Sequence, residues 1–110
     1  MQLVSYAGDL TPQQAWEILE ADPSAVLVDC RTRAEWNFVG VPDVAGLGKQ
    51  TVFVEWIDYP HGAPNQAFVQ QLSAAGITAE SKVLFLCRSG HRSIGAAEAA
   101  TAAGIGEAYN

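Results

Sequence analysis

Short runs of consecutive apolar residues alternate along this chain with stretches in which apolar residues recur every three or four positions. The first stretch of helical spacing follows Thr11, a hydroxyl residue that precedes proline and stands three positions before Gln14. It predicts a helix over residues 12–21. The first apolar run, residues 26–30, is typical of a strand buried on both faces. Thr32 and Glu35 repeat the capping spacing and predict a short helix directly after that strand.

The same alternation continues through the rest of the chain. The elements predicted after residue 39 are, in chain order, a loop over 40–48, a strand over 51–54, a helix capped by Asn65 and ended by Gly76, a strand over 83–87, a helix of small residues that ends at Gly104, and a last strand within 105–110. Strands that alternate with helices predict an α/β fold, in which a parallel sheet is sandwiched by helices.

Composition narrows the class of protein. The chain has 110 residues, of which 49% are hydrophobic and 16% are charged, as expected for a single domain over residues 1–110. Its longest apolar run is far shorter than the roughly 18 to 20 residues of a membrane span, so no membrane partner is expected. The net charge of −6 opposes binding to a phosphate backbone, so no nucleic-acid partner is expected either. The start of the chain lacks a basic segment followed by an apolar one, and its two cysteines need not pair, which predicts a cytoplasmic location.

All four arginines lie in the two segments that directly follow the strands predicted to end at residues 30 and 87. In a parallel α/β sheet the carboxyl ends of the strands share one edge, where ligands bind. A planar guanidinium holds its charge and matches an oxyanion, so this edge is predicted to bind a small anion. For Arg31 and Arg33, ordinary surface ion pairs with Asp29, Glu35 or other acids are an equally good interpretation.

Cys87 is the predicted nucleophile. It ends a buried strand and precedes a short loop with Gly90 and then a helix, so successive backbone N–H groups are expected to converge on its sulfur. Such a setting favours the thiolate. Arg88 or Arg92, together with the hydroxyl of Ser93 at or near the helix N-cap, are expected to add to this stabilisation.

Other cysteine chemistry fits the sequence less well. Cys30 suits a small apolar position in the core, with a resolving role in cysteine chemistry as the lesser alternative. Cys87 and His91, with one distant cysteine, do not make the four-ligand set of zinc, so no metal and no other cofactor is expected. A Cys–His couple for acyl transfer is also disfavoured, because residues four apart across a tight loop rarely face each other.

Two segments carry a resemblance to a known family. Single-domain rhodanese-family sulfurtransferases have an active-site strand, loop and helix with a C-R-S-G-x-R-S pattern, which is similar to the run VLFLCRSGHRSIGAAEAATAAGI. Their other signature, an apolar strand that ends in D-x-R and is followed by an acidic and an aromatic residue, resembles VLVDCRTRAEWNFVGVPDVAG. With VFVEWIDYPHGAPNQAFVQQL between them, the resemblance covers nearly the whole chain and implies a rhodanese-like fold.

The resemblance also implies a double-displacement reaction. Cys87 would take a sulfane sulfur from thiosulfate or a similar small anionic donor and pass it, as a persulfide, to cyanide or to a thiol, protein thiols included. The loop residues implied to bind substrate and persulfide are Arg88, Ser89, Gly90, His91, Arg92 and Ser93.

Within that loop, Arg88 and Arg92 would hold the donor, Arg92 would also lock the loop, and His91 would shape the pocket mouth. Asp29 and Arg31 would brace the neighbouring loop, unless Asp29 pairs with Arg92 instead.

Two other functions remain as alternatives. Cysteine phosphatases and arsenate reductases place five residues between cysteine and arginine, whereas four separate Cys87 from Arg92 here, and a general acid would have to be Asp43 or Asp58. A persulfide relay or an anion-binding module acting with a protein partner is the second alternative. The loop over 56–64 would then select the acceptor, although a packed aromatic loop is the simpler interpretation.

The chain departs from the family pattern in two places. Many relatives carry a histidine in the segment that matches residues 39–43, and this chain has none there. The family usually continues beyond a segment like residues 107–110 with a Gly-rich loop and a further helix, so the fold is expected to lack its last C-terminal element. A sheet face left uncovered would favour self-association or binding of a separate C-terminal fragment.

Overall fold

The computed structural model describes residues 6–57, 62–88 and 90–110. Over these ranges the chain alternates between helices and strands, as its sequence predicts. In chain order the elements are α1 (Pro12–Ala21), β1 (Ala25–Asp29), α2 (Arg33–Phe38), a 3-10 turn (Ala45–Leu47), β2 (Val52–Phe53), α3 (Phe68–Ala74), β3 (Lys82–Leu86), α4 (His91–Ala102) and β4 (Glu107–Tyr109).

Within the described ranges, the strands form one parallel sheet in the order β2-β1-β3-β4. The central strands β1 and β3 pair from Ala25 opposite Lys82 to Asp29 opposite Leu86, so they end at the same edge. The segment over residues 6–10 runs beside β4, where Gly8 bridges Tyr109 in parallel orientation. The predicted α/β sheet is therefore confirmed.

Side chains alternate across each central strand, and the two sets are buried in different cores. On one face Val28 and Phe85 pack with residues of α3 and α4, among them Leu72. On the other face Leu27 packs with Leu19 of α1. This two-sided burial explains why the sequences of β1 and β3 are continuously apolar.

Helices begin as predicted where the capping signal is complete. Thr11 and Thr32 each make a full capping box at the start of α1 and α2. The predicted cap of α3 at Asn65 is wrong, because the N-cap is Ala67. The Asn65 side-chain oxygen accepts a hydrogen bond from the Ala67 N–H at 3.0 Å, which forms a turn ahead of the helix.

The remaining differences are small. The predicted loop over 40–48 contains the 3-10 turn, whose first N–H, on Ala45, donates to the Asp43 carboxylate at 2.9 Å. α3 and α4 end next to Gly76 and Gly104, as predicted. No helix in the described part of the chain is long and apolar enough to cross a membrane.

Candidate active site

The segments that follow β1 and β3 meet at the carboxyl edge of the sheet. Cys30, directly after β1, donates its backbone N–H to the Leu86 carbonyl of β3 at 3.0 Å. Because Asp29 lies opposite Leu86, the next residues, Cys30 and Cys87, occupy neighbouring positions on the two strands. Both cysteines are thiols.

The sulfur of Cys87 receives hydrogen bonds from the backbone that follows it. The N–H groups of Gly90 and Ser93 donate to Sγ at 3.0 and 3.3 Å, and the Ser93 Oγ lies 3.2 Å from the same atom. These groups belong to the first turn of α4, where N–H groups and the positive end of the helix dipole favour an anion. The geometry therefore favours negative charge on this sulfur.

Gly90 makes the tight turn possible. Its φ of 90° lies in the left-handed region, which glycine adopts without the steric cost of a Cβ. In this conformation Gly90 serves as the N-cap of α4 while its N–H reaches the Cys87 sulfur. Any other residue at this position would strain the loop that presents the thiol.

Ser93 is buried. It is the third residue of α4, so it lies near the N-cap and is not the cap itself. Its hydroxyl also contacts the Gly90 carbonyl at 3.2 Å and the Asn110 Oδ1. The amide of Asn110 donates to Asp9 at 2.9 Å. Sequence reasoning missed Asn110 and Asp9, since no local pattern links residues 101 positions apart.

Arg92 is held by a carboxylate from α2. Its two terminal nitrogens donate to the two oxygens of Glu35 at 2.5 and 2.8 Å. This guanidinium lowers the pKa of Glu35 to about 2. Glu35 also accepts the N–H of Thr32, so one carboxylate caps α2 and ties it to α4. The alternative pairing of Arg92 with Asp29 is wrong.

Asp29 instead forms a buried pair with Arg31. The guanidinium donates to the Asp29 carboxylate at 2.7 and 2.9 Å, and it also donates to the Gly40 carbonyl at 2.7 Å. These contacts join the end of β1 to the segment that follows α2. For Arg31, the predicted ion pair with Asp29 is therefore confirmed, but the pair is buried and does not lie on the surface.

Cys30 has the environment of a core residue. It is fully buried, and its thiol donates to the Leu86 carbonyl at 3.2 Å. Burial, followed by the proximity of Cys87, raises the pKa of the Cys30 thiol to about 12. A thiol that stays protonated is a poor nucleophile, which supports the structural interpretation of Cys30.

The other candidate residues lie at the periphery of the site. Arg88 and His91 are exposed on the loop and at the start of α4. Asp43, one of the two candidate general acids, is exposed and accepts a backbone N–H in its own turn. Ser89 and Asp58 lie outside the described residues.

The loop over 56–64 is described only at its two ends. The Trp56 ring packs edge-on against Phe68, with the ring centroids 5.0 Å apart. It also lies against Gly95 of α4, where a Cβ would come within 2.8 Å of the indole nitrogen. At Trp56, packing of the aromatic ring is thus the interpretation that the structure favours.

A pocket of about 330 Å³ opens beside the cysteine. It is lined by Cys87, Gly90, Ser93 and Asn110, by apolar residues of α1, β1 and β3, and by Leu10 and Thr11 ahead of α1. No cluster of His, Cys, Asp and Glu side chains within residues 6–57, 62–88 and 90–110 is placed to hold a metal ion.

The fold and site define a class: α/β proteins that present a cysteine thiol at a strand-loop-helix turn, with backbone N–H groups directed at the sulfur. The chain belongs to the rhodanese-like domain family, which matches residues 11–110. The predicted family and its fold are therefore confirmed. Membership is consistent with a protein of sulfurtransferase type or of a related kind.

Similar proteins support this assignment. The crystal structure of Rv0390 from M. tuberculosis matches with a TM-score of 0.86 and 56% sequence identity, over 96% of this chain and 76% of that one. The uncharacterized protein RC0915 of Rickettsia conorii is 36% identical over 98 residues, which are 88% of this chain and 74% of that protein. The uncharacterized protein RP600 of Rickettsia prowazekii is 33% identical over the same coverage.

Proposed function

We propose that this protein is a thiosulfate:cyanide-type sulfurtransferase that carries sulfane sulfur as a persulfide on Cys87. The observation that carries the proposal is the position of the Cys87 sulfur, which accepts the N–H groups of Gly90 and Ser93 at 3.0 and 3.3 Å. In the first half-reaction the thiolate attacks the outer sulfur of thiosulfate, forming Cys87–S–S⁻ and releasing sulfite. In the second, cyanide or a thiolate attacks the outer persulfide sulfur and regenerates the Cys87 thiolate.

The charges around the sulfur suit a small anionic donor. Arg88 is exposed at the loop, where a guanidinium attracts thiosulfate against the overall charge of −6. Arg92 acts through Glu35: their two hydrogen bonds hold the start of α4, and with it the N–H groups directed at the persulfide. This engagement of Arg92 also disfavours phosphatase chemistry, which would need that guanidinium for the phosphate oxygens.

The test is the intact mass of the protein after incubation with thiosulfate and again after cyanide. We expect a gain of one sulfur atom that cyanide removes, with thiocyanate released. Cys87→Ser should show no gain, and the matched variant Cys30→Ser should behave as the parent protein. A folded protein that gains no sulfur, or that gains it equally without Cys87, would refute the mechanism. Hydrolysis of an aryl phosphate in place of sulfur uptake would support the phosphatase alternative.

A second candidate, a persulfide relay to a protein thiol, is favoured by an apolar surface beside the site. Phe38, Val39 and Val41 are 88%, 71% and 53% exposed, which is unusual for such side chains. Phe38 and Val39 line a cleft with Glu35 and Arg92, so a docked segment would lie next to the cysteine loop. A cysteine flanked by apolar residues is the kind of acceptor that this surface fits.

The relay is tested by comparing two acceptors. A short peptide whose cysteine is flanked by leucines should receive sulfur from the Cys87 persulfide faster than glutathione does. Phe38→Ser should slow transfer to the peptide while leaving transfer to cyanide unchanged. Equal rates with both thiols, or equal loss with peptide and cyanide, would contradict the relay and leave the small-acceptor reaction.

A further inference from the structure

A chain of hydrogen bonds leads from the Cys87 sulfur to the start of the described chain. Ser93 Oγ lies 3.2 Å from the sulfur and also contacts Asn110 Oδ1. The Asn110 amide nitrogen donates to Asp9 Oδ1 at 2.9 Å, and the Tyr6 hydroxyl donates to the same oxygen at 2.8 Å. Ser93 thus contacts both the sulfur and Asn110, and through Asn110 it connects Asp9 to the site.

Ser93 has one hydroxyl hydrogen for several neighbours. The Ser93 oxygen contacts three groups: the Cys87 sulfur, the Gly90 carbonyl oxygen and the Asn110 side-chain oxygen. The Gly90 and Asn110 oxygens are acceptors only, whereas the Cys87 sulfur is a donor as a thiol and an acceptor as a thiolate. The direction of this one hydrogen therefore depends on how the acceptors are placed, and Asn110 Oδ1 is the nearest of the three to the Ser93 oxygen.

Asp9 determines how the Asn110 amide is oriented. Hydrogen bonds from Asn110 and then Tyr6 lower the pKa of Asp9, so its carboxylate is ionised at neutral pH and can only accept. The NH₂ group of Asn110 must face Asp9, which leaves its carbonyl oxygen facing Ser93. The Asn110 backbone is itself fixed by hydrogen bonds to Gly8 and Leu10 at 2.9 and 2.8 Å.

With the amide in this orientation, the Ser93 hydroxyl donates to Asn110 and presents its lone pairs to the sulfur. A lone pair accepts the S–H of a thiol, but it is repelled by a thiolate. The thiolate is then stabilised only by the other groups at the site, such as the Gly90 and Ser93 N–H groups. We propose that Asn110 and Asp9 are positioning residues that direct the Ser93 hydroxyl away from the Cys87 sulfur and so restrain ionisation of the resting thiol.

The inference rests on the proposed function for its purpose, since the thiolate is the form that attacks a sulfur donor, and restraining its formation limits the reactivity of the resting protein. Its test, however, measures ionisation alone. Among the described residues, the charged or titratable groups that interact with Cys87 include the Arg92 guanidinium and the Cys30 thiol, and Arg88 and His91 are exposed nearby. Substitutions at Asn110 leave all of these groups in place.

The experiment is the rate of Cys87 alkylation by iodoacetamide as a function of pH, in a Cys30→Ser background. Asn110→Ala frees the Ser93 hydroxyl to donate to the thiolate. We expect an apparent Cys87 pKa lower by about half to one unit, hence alkylation about three- to tenfold faster below that pKa. Tyr6→Phe removes the other donor to Asp9 but leaves the amide in place, and it should not shift the profile.

The path through Ser93 is tested by a double-mutant cycle. In a Ser93→Ala background, Asn110→Ala should produce no further shift. An equal shift in that background, or no shift in a folded Asn110→Ala protein, would overturn the inference. If Asn110→Ala fails to fold, Asp9→Asn provides the test, because it lets the Asn110 amide rotate. The shift that it causes in the apparent Cys87 pKa must again be absent in the Ser93→Ala background. Persulfide formation is measured separately, so failure of either proposal is distinguishable.

Discussion

The ion pair between Glu35 and Arg92 offers a direct test of how the cysteine loop is held. Glu35→Gln removes the charge but retains the cap of α2, since glutamine serves equally well at the third position of a capping box. The carboxylate has its pKa lowered from 4.5 to about 2, chiefly by the hydrogen bonds from Arg92. At about 1.4 kcal/mol per pKa unit, this displacement corresponds to roughly 3 kcal/mol of stabilisation before screening.

Solvent reduces that figure. The side chains of Arg92 and Glu35 are 23% and 21% exposed, so we expect Glu35→Gln to lower the free energy of unfolding by about 1 to 2 kcal/mol at pH 7. The folded-state pKa lies below the unfolded one. The stabilisation is therefore complete above pH 4.5 and is lost as the pH falls toward about 2.

The assay is urea unfolding followed by tryptophan fluorescence, at pH 7 and at several values down to about pH 2. The exposed Glu17→Gln in α1 serves as a matched control and should change stability by less than about 0.5 kcal/mol. The difference between the parent protein and Glu35→Gln should shrink as the solution is acidified. A variant as stable as the parent at pH 7, or a difference that persists at pH 2, would refute the reasoning.

Two further substitutions, Gly106→Ala with Gly104→Ala as its control and Arg31→Lys, test a tight backbone contact and the buried ion pair with Asp29. Gly106→Ala places a Cβ 2.0 Å from the Ser81 carbonyl oxygen at a φ of 50°, and should cost about 3 kcal/mol or more in urea unfolding. Gly104→Ala, with φ of 75° and no atom within 4 Å, should cost only about 1 kcal/mol, and equal losses would contradict the clash. Arg31→Lys loses the forked contact with buried Asp29 and should cost about 2 to 3 kcal/mol. An unchanged midpoint would show that a single ammonium suffices there.

The sequence predicts those parts of this fold that depend on local signals. Thr11 and Thr32 mark helix starts because each cap and its partner lie three residues apart. The apolar runs of β1 and β3 predict buried parallel strands because both faces of each are covered. The N-cap of α3 predicted at Asn65 is two residues too early. The Asn65 side chain accepts a backbone N–H two residues ahead in a turn, the same kind of bond that a cap residue makes.

The contacts that complete the site are of another kind. Glu35 and Arg92 lie 57 positions apart, and the capping role of Glu35 gives no sign of its second partner. Asn110 reaches Ser93 only because β4 lies beside β3 and the segment over 6–10 adds to the sheet edge. Such pairings follow from the order of strands in the sheet, which composition and periodicity leave undetermined.

Two of the four arginines near the site are neutralised by carboxylates, which the sequence alone does not show. Arg31 is paired with Asp29 and Arg92 with Glu35, so the positive charge of these two is largely balanced by carboxylates from the same edge. Arg33 and Arg88 are exposed, and no ion pair of either occurs in the described part of the chain. Arg33 lies at the start of α2, whereas Arg88 directly follows the cysteine. Under the proposed function, recognition of an anionic donor would therefore fall to Arg88 and the N–H groups of the loop, while Arg31 and Arg92 hold the elements that present them.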